Sequence, residues 1–250
     1  LLRNESPVIG RRLFLGGAAV LSGCARTLRT GPSGWERGAQ IAAAIEAPRI
    51  GPGLTRITEH GARSGFQHDS RPAIQAAIAA LGTGGGRVVV PPGEWRSDGP
   101  IHLENRIELH LEHGAHLRFS RESRHYLPMV LTRWEGTEAW NYSGEGIVDG
   151  QGFEGFFRWR ERQKPDQEAL RQMGAEGVPV RDRVFGAGHY LRPSFVQFFG
   201  CSRVAVDGLT FVDSTFWMIH PVYCNHVTVR GLTLRSAHLN SDGVDPDSST

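Results

Sequence analysis

Apolar and polar residues alternate along two short stretches near the end of the chain. Val204 and Val206 are two residues apart, a glycine follows at position 208, and Leu209 and Phe211 resume the alternation. The same pattern recurs 23 residues later, at Val227, Val229, Gly231, Leu232 and Leu234. A period of two predicts β-strands. A repeat of this length, made of strands and turns alone, predicts a solenoid in which each repeat forms one coil of a parallel β-helix.

The apolar residues of successive coils should lie one above another inside this solenoid. Burial of each such side chain contributes about 1.5 to 3 kcal/mol. We therefore expect Val204 to lie against Val227 within stacked inward ladders. The ladders are predicted to contain Val204, Val206, Leu209, Phe211, Val227, Val229, Leu232 and Leu234.

The alternation also occurs earlier in the chain. Apolar residues at 107, 109 and 111 alternate with polar residues at 108, 110 and 112, and Leu117 and Phe119 repeat the pattern a coil later. One amphipathic helix is predicted before these strands, between the capping residues Asp69 or Ser70 and Gly82. Its apolar face, with Ile74, Ile78 and Leu81, should cover the open end of the solenoid core.

Two cysteines occupy equivalent positions in the repeat. Cys201 and Cys224 should have their Cα atoms about 4.8 Å apart, one strand spacing. That separation permits a disulfide. Directly stacked parallel neighbours rarely give the torsion that a disulfide requires, so we expect a pair of buried thiols instead.

Composition fits one sizeable globular domain. The 250 residues carry a net charge of +2, which gives no field strong enough to indicate a nucleic-acid partner. Lys164 is the only lysine, so nearly all the basic side chains are arginine. Arginine suits bidentate binding of carboxylates, as on an acidic sugar polymer. A genomic bias in base composition explains the excess equally well.

The first residues resemble a bacterial export signal. Arg11-Arg12 precedes an apolar stretch too short to span a bilayer, and the stretch ends at a lipobox-like motif whose cysteine is Cys24. We expect residues 1–24 to be the signal, with Cys24 lipidated, and residues 25–53 to be a tether with a short helix near Ala39–Ile45. The alternative is a plain signal peptide with an incidental cysteine. The expected location is periplasmic, at the cell surface or secreted, with membrane contact only through the lipid anchor.

The densest chemistry follows the second repeat. Residues 240–247 hold three carboxylates, Asp242, Asp245 and Asp247, beside the amide of Asn240. A cluster of carboxylates at a strand end is where enzymes commonly place general acids and bases. Asp, Asn, Gly, Pro and Ser are also ordinary turn residues, so a solvated turn is the alternative on composition alone.

The motif Asn240-Ser241-Asp242-Gly243-Val244-Asp245, after Trp217-Met218-Ile219-His220-Pro221, resembles glycoside hydrolase family 28, the polygalacturonases and their relatives. Further marks follow the family's order, and the resemblance runs from about Leu54 to Thr250. These marks are Gly85–Gly93, Arg133–Gly136, Asp149–Gly152 and His189–Pro193. The resemblance implies an all-β fold, a right-handed parallel β-helix of the pectin-lyase-like kind over residues 54–250. It also implies an acidic plant cell-wall polysaccharide as substrate.

The resemblance also assigns roles. Asp242 matches a carboxylate of the water-activating set, and strand alternation directs Asn240 to the same groove. Asp245 lies three residues on, so it reaches that face only if Gly243 introduces a bulge. We expect Asp245 to support the site or to be structural. His220 either contacts substrate or is a buried structural histidine.

The family's remaining machinery is an Asp-Asp pair one coil later, then Gly-His and Arg-x-Lys. No Asp-Asp pair occurs in these 250 residues. We therefore expect the N-terminal part of a longer enzyme, truncated at its C-terminal end, inactive and poorly soluble alone, with the full-length protein a monomer. A β-helical lyase that needs Ca²⁺ and a non-catalytic carbohydrate-binding β-helix remain alternatives, although the motif disfavours the lyase.

No cofactor or metal is expected. Four histidines at 102, 110, 113 and 116 occupy strand positions that do not match a helical zinc-binding pattern, and exposed side chains are the better interpretation. Relatives usually carry about a strand and a turn more between Ser143 and Gly144, so one coil is either short or damaged there. Residues 153–188 are expected to form a helix-containing excursion, either a groove wall or a solvated loop.

Overall fold

The computed structural model describes residues 31, 33–126, 129–130 and 138–250, with the side chains of 129–130 and 138–141 left aside. The predicted signal and its Cys24 lie outside the described residues, as do residues 25–30 and 32 of the predicted tether. The chain divides after Ile41, and Ala42–Thr250 forms one compact unit. Among the described residues no helix has both the length and the hydropathy needed to cross a membrane.

The described residues form four α-helices: α1 Gly34–Ala44, α2 Arg71–Leu81, α3 Gly152–Gly155 and α4 Lys164–Ala175. Helix α1 starts earlier than the predicted Ala39 because Ser33 and Glu36 form a reciprocal capping pair. The Glu36 amide donates to Ser33 Oγ (3.3 Å) and the Ser33 amide donates to the Glu36 carboxylate (2.7 Å).

Helix α2 is found where it was predicted. Asp69 Oδ1 accepts the amide hydrogen of Arg71 (3.0 Å), and Gly82 follows the last helical residue. Ile74 and Ile78 are buried against the first coils, so the helix covers the core at that end.

Within the ranges that the structure describes, fifteen strands form the rest of the scaffold. In chain order they are β1 Gly53–Arg56, β2 Gly86–Val90, β3 Gly93–Ser97, β4 Ile107–Leu111, β5 Ala115–Phe119, β6 Met129–Val130, β7 Glu138–Gly144, β8 Ile147–Asp149, β9 Val184–Phe185, β10 Val196–Phe199, β11 Ser202–Asp207, β12 Thr210–Val212, β13 Ile219–Val222, β14 Asn225–Arg230 and β15 Thr233–Arg235.

The strands stack into three parallel sheets. The first sheet has the order β1-β2-β4-β7-β11-β14, and the second has the order β15-β12-β8-β5-β3. The third sheet contains β10 and β13, and residues of the 240–247 motif extend it. Successive turns of chain therefore visit the third, first and second sheets in order, which is a parallel β-helix. Strands β6 and β9 form a separate antiparallel pair.

The predicted ladders are confirmed. Val204 pairs with Val227 and Val206 with Val229 in the first sheet, and Phe211 pairs with Leu234 in the second. The side chains of the earlier coil are fully buried, and those of the later coil are partly buried against the same core.

The two cysteines are buried thiols that are not joined by a disulfide, as expected. Cys224 Sγ lies 3.4 Å from the carbonyl oxygen of Val222, and Cys201 Sγ lies 3.4 Å from that of Phe199. A hydrogen bond with the neighbouring Cys201, together with burial, raises the pKa of the Cys224 thiol, so it stays protonated and unreactive.

The coil around Ser143 and Gly144 is continuous. Strand β7 pairs with β4 and β11, and β8 pairs with β5 and β12, so both strands keep the register of their neighbours. A side chain at Gly144 would collide with the carbonyl oxygen of Leu111, since the ideal Cβ position lies 1.9 Å from it. Only glycine permits this close approach at the turn.

Candidate active site

The acidic motif forms a third rung beside β13. The amide of Met218 donates to the carbonyl oxygen of Asp242 (2.9 Å), and the amide of Asp245 donates to that of Ile219 (2.9 Å). Parallel bridges join Ile219 to Val244 and Val222 to Asp247. The motif is therefore part of the third sheet and not a free turn.

A bend in this sheet changes which side chains share a face. Met218 and Ile219 are consecutive, yet both are buried in the core, so the alternation of β13 is interrupted there. Trp217 and His220 consequently lie on the same outer side, with ring centroids 4.6 Å apart. The register places Asp242 beside Trp217 and Asp245 beside His220.

Asp242 and Asp245 thus share one outer surface although they are three residues apart. The register places Gly243 and Val244 beside Met218 and Ile219, so the bend there has the effect that a bulge at Gly243 was expected to have. We call this surface the acidic face: it comprises Ser194, Gln197, Trp217, His220, Asp242 and Asp245.

Both carboxylates of the acidic face are open. Within the described part of the chain, neither the Asp242 nor the Asp245 side chain forms an ion pair or accepts a hydrogen bond. A carboxylate that is held by backbone pairing but has no protein partner is available to accept a proton from water. Asp242 is exposed and Asp245 is partly buried.

His220 lies behind these carboxylates and is only 8% exposed. Its Nδ1 is 3.0 Å from both Ser194 Oγ and Gln197 Nε2. An amide nitrogen can only donate, so Nδ1 accepts and the neutral ring carries its proton on Nε2. Burial lowers the pKa of His220, while Asp245 and Asp247 oppose the shift. The ring is therefore neutral near pH 7.

Asn240 lies at the entry to the motif and is held by a residue that sequence reasoning did not include in the site. Arg192 Nη2 donates to Asn240 Oδ1 (3.0 Å), and Arg192 Nη1 donates to the carbonyl oxygen of Leu239 (3.2 Å). Arg192 belongs to the His189–Pro193 segment, noted only as a family mark. Its four hydrogen-bond acceptors come from distant parts of the chain, so spacing alone could not reveal them.

The helical excursion forms part of this support, which favours the groove-wall interpretation of residues 153–188. Arg192 Nε donates to Gln163 Oε1 (3.2 Å), just before α4. The buried Asp166 of α4 accepts the amide hydrogen of Tyr190 (2.6 Å) and lies 2.7 Å from His189 Nδ1. The guanidinium of Arg162 lies 3.7 Å from the centroid of the Tyr190 ring.

The histidines considered as metal ligands lie apart from the acidic face. His110 Nδ1 is 2.7 Å from Ser143 Oγ in the first sheet, and His116 Nε2 is 3.4 Å from Asp149 in the second. Across the described ranges, no three His, Cys, Asp or Glu side chains are grouped so as to hold a metal ion.

Known proteins share this architecture. The chain is 34% identical to a hyperthermoactive exopolygalacturonase from Thermotoga maritima, with a TM-score of 0.79 over 84% of this chain and 53% of that one. The family 28 exopolygalacturonase of Yersinia enterocolitica shares the fold at 20% identity, with a TM-score of 0.60 over 79% of this chain and 41% of that one.

Sequence comparison gives a similar result. A probable polygalacturonase of Vitis vinifera is 24% identical over 204 residues, which are 71% of this chain and 36% of that protein. No protein-family model matches the chain. The chain spans about half of the Thermotoga protein and about a third of the grapevine protein. The chain is thus similar to polygalacturonases, and it has the right-handed parallel β-helix of the family 28 enzymes that it resembles.

Proposed function

We propose that the full-length protein is a glycoside hydrolase that cleaves α-1,4-galacturonosyl bonds of polygalacturonan, or of a related pectic polymer, with inversion. The observation that carries the proposal is the open carboxylate of Asp242 on the acidic face, in a chain similar to polygalacturonases. Fixed in the third sheet by the backbone bond to Met218, Asp242 has the stable placement that a catalytic base needs.

In the proposed reaction Asp242 removes a proton from a water molecule. The water oxygen forms a bond to the anomeric carbon on one side as the glycosidic bond breaks on the other. A second carboxylic acid gives its proton to the departing oxygen, so charge and atoms balance. By the family resemblance that acid comes from the later Asp-Asp pair, so residues 1–250 alone are proposed to be inactive.

Three other residues are proposed to bind the sugar. Asn240 offers its amide at the edge of the acidic face, and Asp245 lies beside His220 on the same face. His220 is proposed to act as a neutral hydrogen-bonding group, because burial lowers its pKa. Export through the N-terminal signal, with a lipid on Cys24, is proposed to bring the enzyme to its polymeric substrate, where it acts as a monomer.

Product analysis with the full-length protein tests the proposal. Polygalacturonate should release new reducing ends without the ultraviolet absorbance of an unsaturated uronide, and EDTA should leave the rate unchanged. Asp242→Asn should abolish most of the release. Unsaturated products or sensitivity to EDTA would indicate a lyase instead. Binding without cleavage would indicate a carbohydrate-binding protein, and either result would refute the hydrolase.

A further inference from the structure

Arg192 is a buried cation whose bonds all go to neutral groups. The residue is 6% exposed, and its guanidinium donates to side-chain oxygens of Gln163 and Asn240 and to carbonyl oxygens of Thr215 and Leu239. Over the described residues Arg192 has no ion pair with a carboxylate. A buried charge usually has a counterion, whereas the positive charge of Arg192 has none among these residues.

The bond to Arg192 determines how the Asn240 amide is turned. A guanidinium has donors only, so the atom of Asn240 that faces it must be the oxygen, Oδ1. Both hydrogens on Nδ2 are then directed elsewhere, and Asn240 is exposed. Its backbone has φ 63°, a left-handed conformation that asparagine tolerates better than most residues. The side chain is therefore held as a group that can only donate.

We propose that Arg192 is a positioning residue that fixes Asn240 as a hydrogen-bond donor to the carboxylate of the uronic acid substrate. This inference rests on the proposed function. The group recognised is the substrate carboxylate, and the hydrogen bond from Arg192 is what makes Asn240 specific for it.

A carboxylate suits the Asn240 amide, as Arg192 holds it, better than a sugar hydroxyl does. A hydroxyl could also accept from Asn240 Nδ2, but it would leave the charge of Arg192 unmatched. A carboxylate would be attracted through the polarised amide by the guanidinium behind it. Burial, together with the neighbouring Arg160, lowers the pKa of Arg192. Two neighbouring cations favour an anionic ligand at Asn240, in contrast to the carboxylates Asp242 and Asp245 further along the motif.

Two substrates of equal length, one charged and one neutral, distinguish a loss of charge recognition from a general loss of activity. The ratio of kcat/KM for tri-galacturonate to that for its methyl ester is measured in the full-length protein. Asn240→Ala should lower this ratio about tenfold, as expected for loss of one hydrogen bond to a charged group. Arg192→Met should lower it similarly, mainly through KM, because Asn240 can then turn its oxygen outward.

A double-variant cycle tests whether Arg192 acts through Asn240. If it does, the Arg192→Met/Asn240→Ala variant should have a ratio within about twofold of either single variant. Arg192→Lys keeps the charge and should restore part of the ratio, which guards against misinterpreting a poorly folded Met variant. Arg118→Met is the matched control. Arg118 lies over the Phe66 ring as Arg192 lies over Phe216, but it pairs with Asp149 away from the acidic face.

The outcomes are distinct. A wild-type protein that cleaves neither substrate would refute the proposed function itself. Cleavage of both substrates with variants that lower both rates equally would overturn the inference alone, because a purely structural Arg192 would not change the ratio. Additive effects in the double variant would show that Arg192 does not act through Asn240. Arg118→Met should leave the ratio unchanged.

Discussion

Carboxylates on the outer surface of the first sheet form ion pairs, whereas those on the outer surface of the third sheet do not, within the described residues. On the first sheet, Glu108, Glu112 and Asp207 each pair with an arginine from another strand of the same sheet, at 2.6, 2.8 and 2.7 Å respectively. On the acidic face, Asp242 and Asp245 have no such partner within the described residues. Both surfaces belong to parallel sheets of one β-helix, so the pairing follows from the residues at each position and not from the sheet type.

Glu108 shows what pairing does on the first sheet. It is 4% exposed, contacts Arg87 on one side, and accepts a hydrogen bond from Ser143 Oγ on the other (2.5 Å). Its charge is satisfied within the protein and serves stability. The Asp242 carboxylate has no such partner within the described residues, so it remains available to water, as the proposed role of a base requires.

The largest expected effect is on catalysis. In the full-length protein, Asp242→Asn should reduce kcat by about 10²- to 10⁴-fold, the usual contribution of a general base. Because the Asp242 side chain has no protein partner, the free energy of unfolding should change by less than about 0.5 kcal/mol. Steady-state kinetics and urea denaturation measure the two quantities. A large loss of stability would show that Asp242 is structural.

Glu108→Gln should show the opposite pattern. Its carboxylate is buried, but Arg87 is half exposed, so we expect a destabilisation of about 1–3 kcal/mol, below that for a fully buried pair. The kcat should remain within about twofold of the wild type. Urea denaturation of the two carboxylate variants in parallel makes the comparison. A Glu108→Gln protein of unchanged stability would contradict the role given to pairing.

The two surfaces should also differ in how their histidines titrate. Burial lowers the pKa of both His110 and His220, with Arg87 adding to the shift at His110 and Asp245 opposing it at His220. Arg87→Met should therefore raise the pKa of His110, and Asp245→Asn should lower that of His220 further. NMR titration of the imidazole protons measures both. Shifts in the reverse directions would refute the assigned neighbours.

A pH dependence of stability follows from the same shift at His220. The unfolded chain binds a proton near the ordinary histidine pKa of about 6.5, and the folded protein binds it only at lower pH. Between these values the unfolded state holds more protons, so stability falls as pH drops below about 6.5 and levels off above it. His220→Gln should lose this component, as unfolding free energies from pH 5 to 8 would show.

The smallest effect is expected at an exposed pair. Arg230 and Asp207 are joined at 2.7 Å on the surface, where water and salt screen such a pair, so it contributes little to stability. Arg230→Met should therefore change the free energy of unfolding only slightly, and less still at high salt. A larger, salt-independent loss in urea denaturation would show that the pair is coupled to the core.

Much of the scaffold could be predicted because it depends on local periodicity. The Val204–Val227 ladder, helix α2 and the free thiols of Cys201 and Cys224 all follow from alternation and repeat spacing. The start of α1 was not predicted, because it depends on the capping pair of Ser33 and Glu36 and not on hydrophobic periodicity.

The site was less predictable because it depends on departures from periodicity and on distant contacts. Strict alternation would place Asp242 and Asp245 on opposite sides of the sheet. Only the bend at Met218–Ile219 brings the two side chains to the same outer surface. Arg192 lies 48 residues before Asn240, and no local pattern links them. The residues of the motif could be identified, but their shared face and their support required the structure.

The anomeric configuration of the first product tests the central claim most directly. Early ¹H NMR spectra of tri-galacturonate hydrolysis by the full-length protein, recorded before mutarotation, should show the β-anomer at the newly formed reducing end. Attack by water on the face opposite the departing α-linked oxygen requires this result. Asp242→Asn should slow the appearance of the same anomer. An initial α-anomer would mean retention, and it would contradict the assignment of Asp242 as the base that activates water.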